Sequence, residues 1–124
     1  MKATWNYPNF TKEEFDCEHS GKNEMQHEFM LLLQQLRTEF GRPLKITSGY
    51  RDKSHPIEAK KTHSNGEHTQ GNCCDIACVN SNTRFILISL ALKIGFTRIG
   101  IAKNFIHLGI GGKNLPNNVI WDYS

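Results

Sequence analysis

The stretch GEHTQGNCCDI, residues 66–76, places His68 and Asp75 seven positions apart around a glycine, Gly71. Its second half continues as CCDIACV, residues 73–79, which is apolar except for the aspartate and reads as a buried strand. Successive strand side chains face opposite ways, so Asp75 shares a face with Cys73 while Cys74 and Ile76 take the other. A carboxylate on a buried strand needs a partner, because removing its charge from water alone is costly.

The partner must come from elsewhere in the chain, and the downstream half offers one. TRIGIAK (97–103) and FIHLGIG (105–111) read as two strands joined by a hairpin around Lys103-Asn104. With Ile106, Leu108 and Ile110 toward a core, the same alternation gives Phe105, His107 and Gly109 a common opposite face. Residues 82–94 form an amphipathic helix ended by Gly95, and NNVIWDY (117–123) adds an edge strand.

Upstream, PLKITSGY (43–50) reads as a strand with Leu44 and Ile46 on one face and a turn at Ser48-Gly49. Asn23 caps a helix that Gly41 ends, and Phe29, Leu32, Leu33, Leu36 and Phe40 give it one buried stripe. Thr11 and Glu14 make the capping-box pattern of a short helix. Residues 51–72 are polar, with Pro56 starting a short helical piece through Ala59 and a Ser/Asn/Gly loop after it. A polar segment of this length in a small domain is usually functional or disordered. With helices early and midway and strands concentrated late, the reading is α+β, a single domain over 1–124 with helices packed on an antiparallel sheet.

Composition narrows the functional classes. The chain has 124 residues, enough for one core without staples, and its 22% charged content is that of a globular protein. A net charge of +3 suits an anionic partner such as a cell wall, but no Lys/Arg block marks a nucleic-acid groove. The longest apolar run, residues 85–92, is too short to span a bilayer. The N-terminus MKATWNYPNF has no apolar signal core, so the expectation is synthesis in the cytoplasm, as a monomer. Cys17, Cys73, Cys74 and Cys78 include no CxxC pair and read as reduced, mostly packed thiols.

One zinc ion would satisfy both Asp75 and His107, with His68 as a third ligand. Two imidazoles, one carboxylate and an open position match a catalytic rather than a closed structural site, although manganese or cobalt suit the same donors. The bland alternative gives Asp75 backbone amide partners and leaves His107 on a sheet surface. His19, His27, His55 and His63 read as satisfied or solvated residues.

ITSGYR, then EHTQGNCCDI, then RIGIAKNFIHLGIGG resemble, in order and spacing, the zinc D-alanyl-D-alanine carboxypeptidase family. That family includes phage L-alanyl-D-glutamate endolysins and shares a superfamily with lysostaphin and the hedgehog signalling domain. The resemblance runs over residues 10–123. It implies that His68, Asp75 and His107 are the zinc ligands, and that Arg51 holds a substrate carboxylate or polarises the scissile carbonyl. Gly71 takes the position where the chain turns tightly beside the metal.

The chain departs from the family where many members carry their catalytic acid. Three residues before His107 stands Asn104, and in place of a frequent histidine-valine-aspartate the last strand reads HLG, with Gly109 in the acid's position. Cys73 and Cys74 replace small residues, and either could coordinate metal. Candidates for the base are Glu67, beside His68, and Glu58 on the short helix; His55 and His63 could donate protons. Neighbouring residues tend to point apart, which counts against Glu67.

The resemblance implies a zinc-dependent peptidase acting on peptidoglycan stem peptides, cutting D-Ala-D-Ala, L-Ala-D-Glu or a cross-link, in the manner of an endolysin released to the wall by a partner pore. The alternative is a catalytically impaired zinc-containing wall-binding or virion module, favoured by Asn104 and Gly109. A purely structural zinc domain would unfold without metal.

Overall fold

In the computed structural model, which describes residues 1–60 and 66–123, the strand bearing Asp75 sits within a five-stranded sheet of order β1-β2-β4-β3-β5. The strands are β1 (Ile46–Ser48), β2 (Cys73–Ala77), β3 (Arg98–Ile101), β4 (Phe105–Gly109) and β5 (Val119–Asp122). Strands β2 and β4 pair antiparallel with Cys73 opposite Gly109, Asp75 opposite His107 and Ala77 opposite Phe105. Directly opposed residues put their side chains on the same face, so the register alone brings Asp75 to His107.

The other face carries Cys74, Ile76, Ile99, Ile106 and Leu108, all buried under two long helices. Helix α1 (His27–Phe40) contributes Phe29, Met30, Leu33 and Leu36 to that core, and Phe29 meets Phe96 edge-on at 5.9 Å. Gly41 ends it in the left-handed conformation, its N–H on the Arg37 carbonyl. Helix α3 (Ser81–Ile94) begins where the Asn80 side chain accepts from Thr83 N at 3.0 Å. It buries only Leu87 and Ala91 fully and leaves Phe85 and Leu92 exposed. A short helix α2 (Pro56–Ala59) lies where the proline places it, and Thr11 and Glu14 form their capping box on a 3₁₀ turn (Lys12–Phe15). All four cysteines are buried thiols with no disulfide.

Three expectations are corrected. Helix α1 is capped at Gln26, not Asn23. Met25 and Gln26 stay out of the helix because their backbone is bonded to distant segments: Ala3 N to Met25 O at 2.9 Å, and Gln26 N to Gly71 O at 2.9 Å. The Asn23 carboxamide instead accepts from Met25 N. Strand β1 is shorter than residues 43–50, because a bulge between Ile46 and Ser48 ends its pairing opposite Asp75.

The sheet, finally, is mixed. Strand β5 does lie at the edge, but it pairs with β3 in parallel, Arg98 opposite Val119. The end of β4 is beside the start of β3, Gly109 opposite Arg98, so a loop through residues 110–118 re-enters alongside β3 at that same end. Gly111, Gly112, Asn114 and Asn118 supply the positive φ angles of that loop. Among the described residues no helix is long and apolar enough to cross a membrane.

Candidate metal centre

His68 enters from a 3₁₀ turn (Glu67–Gln70) between Gly66 and Gly71, and meets Asp75 and His107 over the open face of the sheet. Its Nδ1 lies 2.7 Å from the Gly49 carbonyl, an acceptor only, so Nδ1 carries the proton. Its Nε2 is then a lone pair, and it faces Asp75 Oδ1 at 3.5 Å. His107 has a carboxylate at each nitrogen: Glu67 Oε1 at 2.6 Å from Nε2 and Asp75 Oδ1 at 3.0 Å from Nδ1. A neutral imidazole has one N–H. With that proton on the shorter bond to Glu67, His107 Nδ1 also turns a lone pair toward Asp75 Oδ1.

One carboxylate oxygen thus faces two nitrogen acceptors in a site where all three side chains are at most 6% exposed. With His107 neutral, three acceptors converge, and a metal ion or a proton between them would relieve the repulsion. Neighbouring ligand atoms of tetrahedral zinc, at bond lengths near 2.0–2.1 Å, lie about 3.3 Å apart. The two separations from Asp75 bracket that value, and the donor set fits zinc. A proton is the alternative occupant. Burial alone would raise the Asp75 carboxyl and lower the His107 imidazole. With a proton shared there, His107 and His68 act as donors to Asp75 and hold it well below the usual carboxylate range, while Asp75 and Glu67 raise His107.

Cys73 is a second candidate for the third donor position. It is fully buried on Asp75's face, and its Sγ lies within 4.8 Å of a nitrogen of both His68 and His107. Burial, and after it the charges of Glu67 and Asp75, push this thiol up. It is therefore protonated in the absence of metal, whereas Asp75 is already ionised.

Arg51 directs one nitrogen to Asp75 Oδ2 at 3.4 Å and another to Glu58 Oε2 at 3.3 Å. It is positioned by its own backbone N–H, bonded to the His68 carbonyl, and by α2, which brings Glu58 into the interior. Asp52 starts this segment by accepting from Ser54 N and Oγ, which hold its carboxyl down at about 2. His55 Nδ1 accepts from Ile57 N at the start of α2. His63 lies outside the described residues.

The site opens into a cavity of about 670 Å³ lined by Arg51, Glu67, His68, Asp75 and His107. One wall is aromatic, built from Phe105, Trp121 and Tyr123. The Trp121 ring stands 5.3 Å from that of His107, with the Arg98 guanidinium over it at 5.1 Å. Gly100 makes room for Trp121, since a Cβ there would come within 2.8 Å of the indole. Of the residues weighed from sequence, Glu58 and Asn104 do not line the cavity; Glu58 holds Arg51, and Asn104 is exposed in the β3–β4 turn.

Glu67 does not point away from the site as adjacency to His68 suggested. It is buried, and its carboxylate takes Nε2 of His107, Arg98 Nε at 2.9 Å and Gly111 N at 2.8 Å. Reasoning from sequence missed Arg98 and Trp121. The period-two signal was there, since Arg98 and Gly100 alternate on β3 and Gly100 pairs with both His107 and Trp121, but the pairing of β5 was needed to use it.

A family model described as Peptidase M15 matches residues 8–109, a span that contains His68, Cys73, Asp75 and His107. No curated protein was found to match the chain.

Proposed function

The chain belongs to the peptidase M15 family of zinc metallopeptidases, and from that premise we propose that it hydrolyses a peptide bond in peptidoglycan stem peptides. The observation that carries the reading is the convergence of His68 Nε2 and His107 Nδ1 on one Asp75 oxygen at the floor of an open cavity. In this reading His68, Asp75 and His107 hold a single zinc ion. Zinc held there would supply Lewis-acid polarisation and make water acidic enough to act near pH 7.

The chain's own groups do the rest. Arg51, clamped between Glu58 and Asp75, presents a fixed guanidinium to the scissile carbonyl or to a terminal carboxylate. Phe105, Trp121 and Tyr123 give the peptide an apolar wall and limit water on that side. D-Ala-D-Ala, L-Ala-D-Glu and cross-links all present the amide and carboxylate groups this floor would engage. As part of the proposal, the protein acts as a monomer on the wall, after release through a partner pore.

A second reading, a zinc-containing wall-binding module without turnover, has one observation in its favour. Among the described residues lining the cavity the carboxylates are Glu67 and Asp75, and both are engaged by neighbours. The deciding experiment incubates zinc-loaded and chelator-treated protein with defined peptidoglycan fragments and reads the products by mass spectrometry. Zinc-dependent loss of one bond is the expected result and names the substrate. Retention of wall fragments with every bond intact would establish the module instead.

A further inference from the structure

The carboxylate of Glu67 stands where a side chain at position 109 would stand. A Cβ built on Gly109 falls directly onto the Glu67 carboxyl group, and Gly109 lies on the same face of β4 as His107. By resemblance, position 109 is where an acid frequently follows the last histidine. We propose that in this chain the acid has moved from strand β4 to the 3₁₀ turn, so that Glu67 is the positioning carboxylate of His107 and Gly109 is glycine to admit it. This inference rests on the reading of His107 as a zinc ligand.

Three features of the geometry support it. First, Glu67 Oε1 accepts from His107 Nε2 at 2.6 Å, on the far side of the ring from Asp75. That bond commits the imidazole proton to Nε2 and leaves the Nδ1 lone pair toward Asp75, the tautomer a metal needs. It also puts Glu67 across the ring from the metal position, so it orients a ligand and does not touch the reacting atoms. Second, the carboxylate is held by groups unrelated to the metal: Arg98 Nε on Oε1 and the Gly111 amide on Oε2. Arg98 is itself anchored to the Pro116 carbonyl and set over Trp121. A buried carboxylate is tolerable only with such partners. Third, two acids cannot share this volume, which accounts for the glycine at 109.

The test uses the full chain and measures zinc affinity by competition with a chromophoric chelator, alongside the ¹⁵N tautomer state of His107 in the zinc-free protein. Glu67→Ala is expected to weaken zinc binding roughly 10- to 100-fold and to populate the Nδ1–H tautomer. Gly109→Asp alone should also weaken binding, because it displaces Glu67. The double variant Glu67→Ala/Gly109→Asp, which returns one carboxylate to the vacated volume, should recover most of the affinity and the Nε2–H tautomer. A double variant no better than Glu67→Ala, or a Glu67→Ala protein with unchanged affinity and tautomer, overturns the inference. Should Glu67→Ala fail to fold, a folded double variant that binds zinc supports the inference, and an unfolded one overturns it. Unchanged zinc affinity in His107→Ala would instead sink the underlying assignment of His107 as a ligand.

Discussion

Gly71 and Gly41 have nearly the same left-handed backbone, φ 72 and 75, and quite different surroundings. Nothing lies within 4 Å of a Cβ placed on Gly41. At Gly71 such a Cβ overlaps the Glu24 carbonyl and comes within 2.9 Å of Met25 Cα. The first glycine answers only a conformational need, the second also a close approach of two chain segments beside His68. Gly41→Ala is therefore expected to cost about 1 kcal/mol, the usual penalty for an L-residue at positive φ. Gly71→Ala should cost several times more, since backbone rather than a flexible side chain must move, and it should weaken zinc binding through the His68 turn. Denaturant midpoints of the two variants, with equal m-values, check the comparison.

At the scale of elements, the two long helices begin for different reasons. Helix α3 starts on a local device, the Asn80 side chain on Thr83 N, whereas α1 starts where the bridged segment 24–26 lets go of Gly71 and Ala3. Asn80→Ala should lower stability by about 1 kcal/mol through the lost cap. Asn23→Ala should leave the start of α1 in place, with its amide protection in hydrogen exchange unchanged, because Asn23 bonds Met25 N outside the helix. A loss of protection along α1 in Asn23→Ala would contradict this assignment of its cap.

For the whole molecule, the division of the sheet into two faces decides what metal does for stability. The core of Phe15, Phe29, Leu33, Leu36, Ile76, Ile99, Ile106 and Leu108 is fully buried without any residue of the site. Chelation should therefore leave the far-UV circular dichroism of the fold intact. Zinc binding should raise the melting temperature with free zinc, by about 4 kcal/mol of added stability at a thousandfold excess over Kd. Unfolding on chelation would assign the metal a structural role instead.

Much of this was legible in the chain itself. The alternation of CCDIACV and FIHLGIG placed Asp75 and His107 on one strand face each, Gly41 and Gly95 marked two helix ends, and Pro56 a helix start. The M15 match, over residues 8–109, takes in ITSGYR, EHTQGNCCDI and all but the last three residues of RIGIAKNFIHLGIGG. These features are local: side-chain periodicity and backbone stereochemistry act between residues a few positions apart, and the sequence states them directly. The tertiary structure alone decided the start of α1, the parallel direction of β5 and the turn of Glu67 onto His107. Each of these depends on which distant segments meet. Glu67 points inward because Arg98, Gly111 and the missing side chain of Gly109 together make a carboxylate-shaped place for it, and no spacing within GEHTQGNCCDI encodes that.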